Sequence, residues 1–487
     1  MTRAVLAVIL GSRATFPAAL VAEGRGLILD QLRALDVEAV VLEEPTTRMG
    51  AVGGYRDALA CADLFRRNAD RIDGILVTLP NFGDETSVAE AIRQSGLRVP
   101  ILVHAFPDDL EQLTLARRRD AFCGKISVCN NLHQYGYPFS LTSLHTVRPD
   151  SGSFATDLVR FVAVCRVVKG LRGARLGMVG TRPDAFKTVR FSERLLEMAG
   201  ISVSVIDLSD VRGLMDGLPS DDPRLAAKSE QFHAYADLGR LPAASVERMV
   251  RFSTVLDRWI DENGLQGTAI QCWTSLQTTF GFSPCGVMSM MSDRLLPSAC
   301  EADVPGLLSM YALQLASGQP SVIADWNNNY GDNPDKAVFW HCGNWPRSYM
   351  PDTAIDQHPI LAPNFGADNT WGAVHGRASE GPMTFLRLTT DDRHGCIRGI
   401  VGEGAITADQ LETWGTRAVV EIPGLQGLLA YICREGFEHH VAMTNACVAA
   451  PVGEALETYL GWDVHWHPGG EAMADRTHTR YSPAPVG

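Results

Sequence analysis

The chain has 487 residues, 46% hydrophobic and 20% charged, with 56 acidic against 43 basic side chains and a net charge of −13. That length exceeds one ordinary core and implies two to four domains, and the composition excludes extensive disorder. An acidic surface without a Lys/Arg-rich run argues against a nucleic-acid partner, although a pocket's local field can oppose the global charge and admit an anionic ligand.

Val5–Leu10 follows a basic N-terminus but is too short for a signal peptide and lacks a small-residue cleavage pattern, so it reads as a first β-strand. Ala39–Leu42, Gly74–Leu79 and Pro100–Ala105 read as further buried strands, with Ala18–Leu35 and Arg56–Asn68 as amphipathic helices between them. Such alternation builds a parallel sheet. Phe154–Lys169 reads as a linking helix. A second unit starts with the strand Arg175–Gly180, followed by a helix over Ser192–Ala199, a strand over Ser202–Asp207 and a strand end at Thr268–Cys272. From about Ala337 short strands dominate, at Met383–Leu388, Cys396–Gly402 and Ala418–Ile422. The tail after Pro468 reads as an extended arm. The expected fold is α/β: two Rossmann-like parallel-sheet domains (1–170 and 171–335, the second carrying the metal carboxylates) and a β-rich, barrel-like C-terminal domain (336–487).

No apolar stretch reaches the roughly 18 residues of a membrane span. The 11 cysteines are odd in number and scattered without CxxC pairs. That pattern implies reduced thiols in a cytoplasmic protein and fits neither a disulfide framework nor a zinc cluster.

The candidate chemistry lies mainly between Cys300 and His341. Glu301 sits in a small-residue turn, and Asp325 follows Ser-Val-Ile-Ala, at the end of a buried strand. An uncompensated buried carboxylate costs several kcal/mol or neutralises, and a cation is the simplest compensator. Taken singly, each carboxylate could equally be a surface group or a helix cap. His439 and His440 enter a strand-like run where neighbours face opposite sides, so one of the two is expected to meet a given ligand. Two carboxylates and an imidazole suit Mn²⁺, with Mg²⁺ or Co²⁺ as alternatives. His341 and Asn344 follow a strand and either line the site or satisfy their turn. Gln271 and Trp273 stand at another strand end, where Gln can bind sugar hydroxyls and Trp can stack on a sugar face; a core Trp is the plain alternative. The turn Gly11-Ser-Arg13 carries the same ambiguity. Neither candidate first strand is followed by Gly-x-Gly-x-x-Gly, which disfavours a dinucleotide, and Glu438-His439-His440 does not fit His-Glu-x-x-His.

Glu301 in its turn, Asp325-Trp-Asn-Asn-Asn-Tyr and His439-His-Val-Ala, in that order and spacing, resemble the L-fucose isomerase/L-arabinose isomerase superfamily, and more narrowly its fucose isomerase-like branch. Gly11-Ser-Arg13-Ala-Thr-Phe-Pro, Leu79-Pro-Asn-Phe-Gly-Asp-Glu, Arg182 to Glu193 and Gln271-Cys-Trp extend the resemblance over nearly the whole chain. It implies a metal-dependent aldose–ketose isomerase acting on an open-chain sugar through a cis-ene-diol. Glu301, Asp325 and His440 would hold the cation, usually Mn²⁺, and Glu301 and Asp325 would form the acid/base pair. It implies substrate contacts from Arg13, Gln271, Trp273, His341, Asn344 and His439. His341 matches a metal ligand of arabinose isomerases but a non-ligand place in the fucose enzyme. Arg13 matches an arginine that reaches into a neighbouring subunit, which implies a homo-oligomer with shared sites. The implied substrate is an L-fucose- or arabinose-like sugar, or sulfoquinovose giving sulfofructose. Arg13, Arg182, Lys187, Arg190 and Arg347 are candidates for binding a sulfonate. The competing readings are a non-enzymatic sugar-binding or sensor protein, and a metal-dependent epimerase or aldolase using the same enediolate.

Overall fold

The computed structural model describes residues 3–467, so the expected arm after Pro468 lies outside the described residues. The chain divides into two compact units. One gathers the first residues through Lys169 with Glu454–Gly461; the other holds Gly170–Gly453 and continues from Trp462.

The first unit is built on strands β1 (Val5–Leu10), β2 (Glu38–Val41), β3 (Gly74–Leu79), β4 (Ile101–Ala105) and β5 (Ser140–Leu141), all parallel in the order β2-β1-β3-β4-β5. Every residue of β1 and β3 is buried, as continuous apolar runs require when helices cover both faces. Ala7, Ile9, Ile75 and Val77 pack to one side with Phe65 and Val88, while Leu6, Val8 and Leu76 pack to the other with Phe154 and Phe161. The strand order reverses between β1 and β3, so the loops after these two strands flank the crevice where open parallel sheets carry ligands. Gly11 begins one of them because a Cβ there would lie 2.7 Å from Leu79 Cδ2.

The second unit contains two sheets. Strands β6 (Arg175–Val179), β7 (Ser202–Ile206), β8 (Thr268–Ile270) and β9 (Ser298–Ala299) are parallel in the order β7-β6-β8-β9. The larger, mixed sheet comprises β10 (Val322–Asn329), β11 (Lys336–His341), β12 (Ala354–Gln357), β13 (Trp371–Arg377), β14 (Gly381–Asp391), β15 (Cys396–Ile406), β16 (Thr416–Glu421), β17 (His440–Thr444) and β18 (Asp463–Trp466). Its order is β12-β13-β16-β11-β10-β17-β14-β15-β18, and β15 also pairs with β16. The path β16-β11-β10-β17-β14-β15 therefore returns to its start. This mixed sheet begins earlier than the texture change near Ala337 implies, because β10 is antiparallel to both β11 and β17. Asp325 is consequently the fourth residue of an eight-residue strand, not its end. The strand runs on through polar Asn residues that pair past a register shift between Trp326 and Asn328. Among the described residues no helix is long and apolar enough to cross a membrane.

Candidate active site

Each sheet of the second unit delivers part of the site. β8 and β9 run side by side with Ala269 opposite Ala299, so their following residues, Gln271–Trp273 and Cys300–Glu301, emerge together. Glu301 and Ala302 both adopt left-handed backbone, with φ of 53° and 55°. This conformation costs non-glycine residues on the order of 1 kcal/mol or more and concentrates at functional sites. The turn is pinned by Ala302 N–H donating to Ile270 O at 3.1 Å. It leads into the helix Val304–Ser317, whose N-cap Asp303 accepts from Gly306 N–H at 2.9 Å.

On the mixed sheet, Asp325 pairs directly with His440 of β17 on one side and with Trp340 of β11 on the other. Directly opposed residues share a face about 5 Å apart. His440 Nε2 lies 3.5 Å from Asp325 Oδ1 and 3.6 Å from Glu301 Oε2, and His341 Nε2 lies 3.6 Å from the same Glu301 oxygen. The structure thus brings Glu301, Asp325, His440 and His341 together around a buried point. His439 joins them, its Nε2 3.6 Å from Asp325 Oδ1. The alternation argument that admits only one of the paired histidines does not hold, because β17 begins at His440 and His439 belongs to the preceding bend.

A second ring of groups, not anticipated from sequence, fixes the imidazole. His440 Nδ1 lies 2.8 Å from Asp303 Oδ2; a carboxylate only accepts, so Nδ1 carries a proton, and in the neutral imidazole Nε2 offers its lone pair to the site. Arg387 of β14 grips Asp303 through two bonds of 2.5 and 3.1 Å and reaches Glu438 at 3.0 Å, where Thr389 O–H also donates at 2.5 Å. Asp303, Arg387 and Glu438 are all buried. Burial alone would raise the Asp303 carboxyl, but Arg387 and His440 hold it well below the usual range. Burial likewise pulls His440 down, and Asp303, Glu301 and Asp325 outweigh it and raise the imidazole. Asp325 is raised, chiefly by desolvation, and His439 lowered by the same cause with His440 beside it.

Glu301 Oε1 is occupied by Trp273 Nε1–H at 3.1 Å and faces the Cys272 thiol at 3.4 Å. Its other oxygen, Oε2, and Asp325 Oδ1 are buried without a hydrogen-bond donor. Two buried carboxylate oxygens without a hydrogen-bond donor, facing an imidazole nitrogen, form a donor set that fits a divalent cation. Ligand atoms of Glu301, His341 and His440 lie within 4.8 Å of one another, as do those of Asp325, His439 and His440.

The remaining predicted residues take varied places. Gln271 Oε1 accepts from Thr181 N–H at 2.9 Å, which ties β8 to the loop after β6. That loop carries Phe186 against the rings of Trp273, His439 and His440. Asn344 is buried with its Oδ1 unpaired. Arg347 is engaged by the carbonyls of Ala234 and Tyr235. Arg13 stands in the first unit at the β1/β3 switch point, lying over the Phe82 ring, donating to Gly83 O at 2.7 Å and ion-paired with Glu85.

Residues 7–172 match the N-terminal domain model of fucose/sulfoquinovose isomerases, and residues 339–467 match the C-terminal domain model of L-fucose isomerases. The chain is similar to the sulfoquinovose isomerase of Priestia aryabhattai, with 24% identity over 82% of this chain and 85% of the relative. It is also similar to that of Alkalicoccus urumqiensis, at 24% over 67% and 70% of the two chains. A third relative, the sulfoquinovose isomerase of a Clostridium species, is 28% identical over 40% and 43%. The α/β build, the site and the two matched domains make this an aldose–ketose isomerase. The chain belongs to the fucose isomerase-like family. Relatives that are isomerases do not favour the sensor reading or the epimerase and aldolase readings.

Proposed function

We propose that the protein interconverts sulfoquinovose and sulfofructose at a divalent-cation centre held by Glu301, Asp325 and His440. The carrying observation is the pair of donorless oxygens, Glu301 Oε2 and Asp325 Oδ1, converging on an Nε2 whose partner nitrogen is locked to Asp303. Mn²⁺, or Mg²⁺ or Co²⁺ in its place, would supply Lewis acidity towards the neighbouring carbonyl and hydroxyl oxygens of the open-chain sugar. Glu301 and Asp325 act as the acid/base pair, moving one proton between adjacent carbons through a cis-ene-diol. Trp273 holds the other Glu301 oxygen, leaving Oε2 directed at the reacting region. His341, His439, Gln271 and Asn344 bind sugar hydroxyls, and Phe186 with Trp273 provides an apolar wall that excludes water.

The sulfonate reading rests on the relatives' names and on the loop that carries Phe186. Arg182 and Arg190 there donate only to backbone carbonyls of their own loop, which leaves both charges without a carboxylate partner among the described residues. Arg suits a tetrahedral anion. Arg13 serves a second copy of the chain, making the working form a homo-oligomer in the cytoplasm. An L-fucose- or arabinose-like substrate is the second reading, supported by the C-terminal domain match.

The test is a panel of aldoses, sulfoquinovose included, incubated with Mn²⁺-loaded protein in D₂O and followed by NMR. Conversion of sulfoquinovose with exchange of hydrogen at the carbon next to the carbonyl supports the proposal. Conversion of only neutral sugars overturns the substrate, and conversion of none overturns the chemistry.

A further inference from the structure

Four cysteines that are far apart in the sequence gather behind the carboxylate site. Cys272 follows β8, Cys285 opens the helix Cys285–Asp293, Cys300 follows β9 and Cys342 follows β11. None is in a disulfide. We propose that Cys300, Cys342 and His341 form a second cation site, selective for thiophilic ions such as Zn²⁺ or Cd²⁺, which shares the His341 ring with the oxygen-rich site.

Ligand atoms of these three residues lie within 4.8 Å of one another. A tetrahedral zinc with bonds of about 2.3 Å to sulfur and 2.0 Å to nitrogen has edges of roughly 3.5–3.8 Å. His341 Nδ1 is 3.5 Å from Cys342 Sγ, so that edge is already formed. The imidazole has two sides with different chemistry: Nε2 faces Glu301 at 3.6 Å, and Nδ1 faces sulfur. Hard ions prefer the first environment and soft ions the second. The surroundings on the thiol side are themselves soft. Met288 Sδ is 3.9 Å from Cys300 Sγ, and Cys272, Cys300 and Glu301 form a further group of ligand atoms within 4.8 Å. Two thiolates neutralise a divalent ion, which suits a pocket whose thiols are mostly buried. The site does not depend on the isomerase reading.

The experiment titrates full-length protein with Cd²⁺ after excess Mg²⁺ has filled the oxygen-rich site. The exposed Cys123, Cys433 and Cys447 are first changed to Ser so that they contribute no signal. A single equivalent of Cd²⁺ is expected to bind with a thiolate-to-metal charge-transfer band and a cadmium NMR resonance in the sulfur-ligated range. Outer-shell partners alone are worth about 10- to 100-fold in metal affinity, so Cys300→Ser and Cys342→Ser should each weaken binding by about 100-fold or more. No band, a band unchanged in the Cys300→Ser/Cys342→Ser double variant, or a resonance typical of oxygen and nitrogen ligands alone overturns the proposal. Because the resonance is read on protein with both cysteines intact, the test stands even if the variants do not fold.

Discussion

Replacing Asp303 with Asn tests whether the buried ring behind His440 sets the affinity of the site. The substitution preserves shape but removes the charge that balances Arg387, and its amide turns one acceptor into a donor facing a guanidinium or an imidazole N–H. Asp303 and Arg387 are 0% and 2% exposed, so their interaction is unscreened. Breaking such a buried pair from one side costs about 3–5 kcal/mol. At about 2 °C per kcal/mol for a unit this large, the melting midpoint should fall by roughly 6–10 °C. The His440 imidazole also loses its anionic acceptor, and loss of a carboxylate behind a metal-binding histidine lowers affinity by about 10- to 100-fold, or 1.4–2.7 kcal/mol. Calorimetric titration of the metal-stripped variant with Mn²⁺, beside a thermal melt, reads both quantities. A folded Asp303→Asn variant that binds Mn²⁺ as tightly as the parent would refute the reasoning.

Glu301→Gln keeps the volume and one acceptor but no base, and should reduce kcat by about 100- to 10,000-fold with an unchanged circular-dichroism spectrum; near-parental turnover sinks the acid/base assignment. Dialysis against EDTA should abolish turnover and lower the melting midpoint, and Mn²⁺ at about 100 times its Kd should restore roughly 2.7 kcal/mol; full activity in metal-free protein, checked by elemental analysis, contradicts the donor-set reading. In the first unit, burial pushes the His104 imidazole down to about 3 from the ordinary 6.5, and Thr78 and Val147 occupy both ring nitrogens. Below pH of about 6.5 the unfolded chain takes up a proton that the folded chain refuses, so stability falls by about 1.4 kcal/mol per pH unit, reaching about 2 kcal/mol at pH of about 5. Urea melts of His104→Asn should lack this acid slope, and an equal slope in both proteins removes His104 as its source. Changing Arg182 and Arg190 together to Ala should raise KM for a sulfonated aldose by about tenfold or more while sparing a neutral aldose, because a charge-assisted bond is worth about 1.5–3 kcal/mol; equal effects on both sugars dissociate the loop from the anion.

The parallel strands were legible because burial on both faces leaves an unbroken apolar run, as in Val5–Leu10 and Gly74–Leu79, and a helix between them such as Tyr55–Arg67 buries one stripe, Ala58, Cys61, Ala62 and Phe65. Glu301 and Asp325 could be singled out because each is a carboxylate next to small or apolar residues, whereas only the family resemblance separates His440 from His439. What local pattern could not reveal is convergence. Arg387 sits 84 residues from Asp303 and 51 from Glu438. A single Arg inside Met383–Leu388 resembles an outward-facing residue, although it is the only charge in that run and so was the available signal. Asp303-Val-Pro reads as a helix start with Pro in the first turn, which explains the cap but not the same carboxylate's second partner. The cysteines escaped for the same reason: the turns after β8, β9 and β11 bring them together, and no CxxC spacing marks that meeting.

Glu301 rises from the parallel sheet, whereas Asp325 and His440 belong to neighbouring strands of the mixed one, within a hydrogen-bonded circuit that leaves them no freedom to slide. Under the proposed assignment, an ion held by all three would be a rivet between two layers as well as a reagent. Heat tolerance and catalytic competence should then rise and fall together as the ion is supplied or withdrawn.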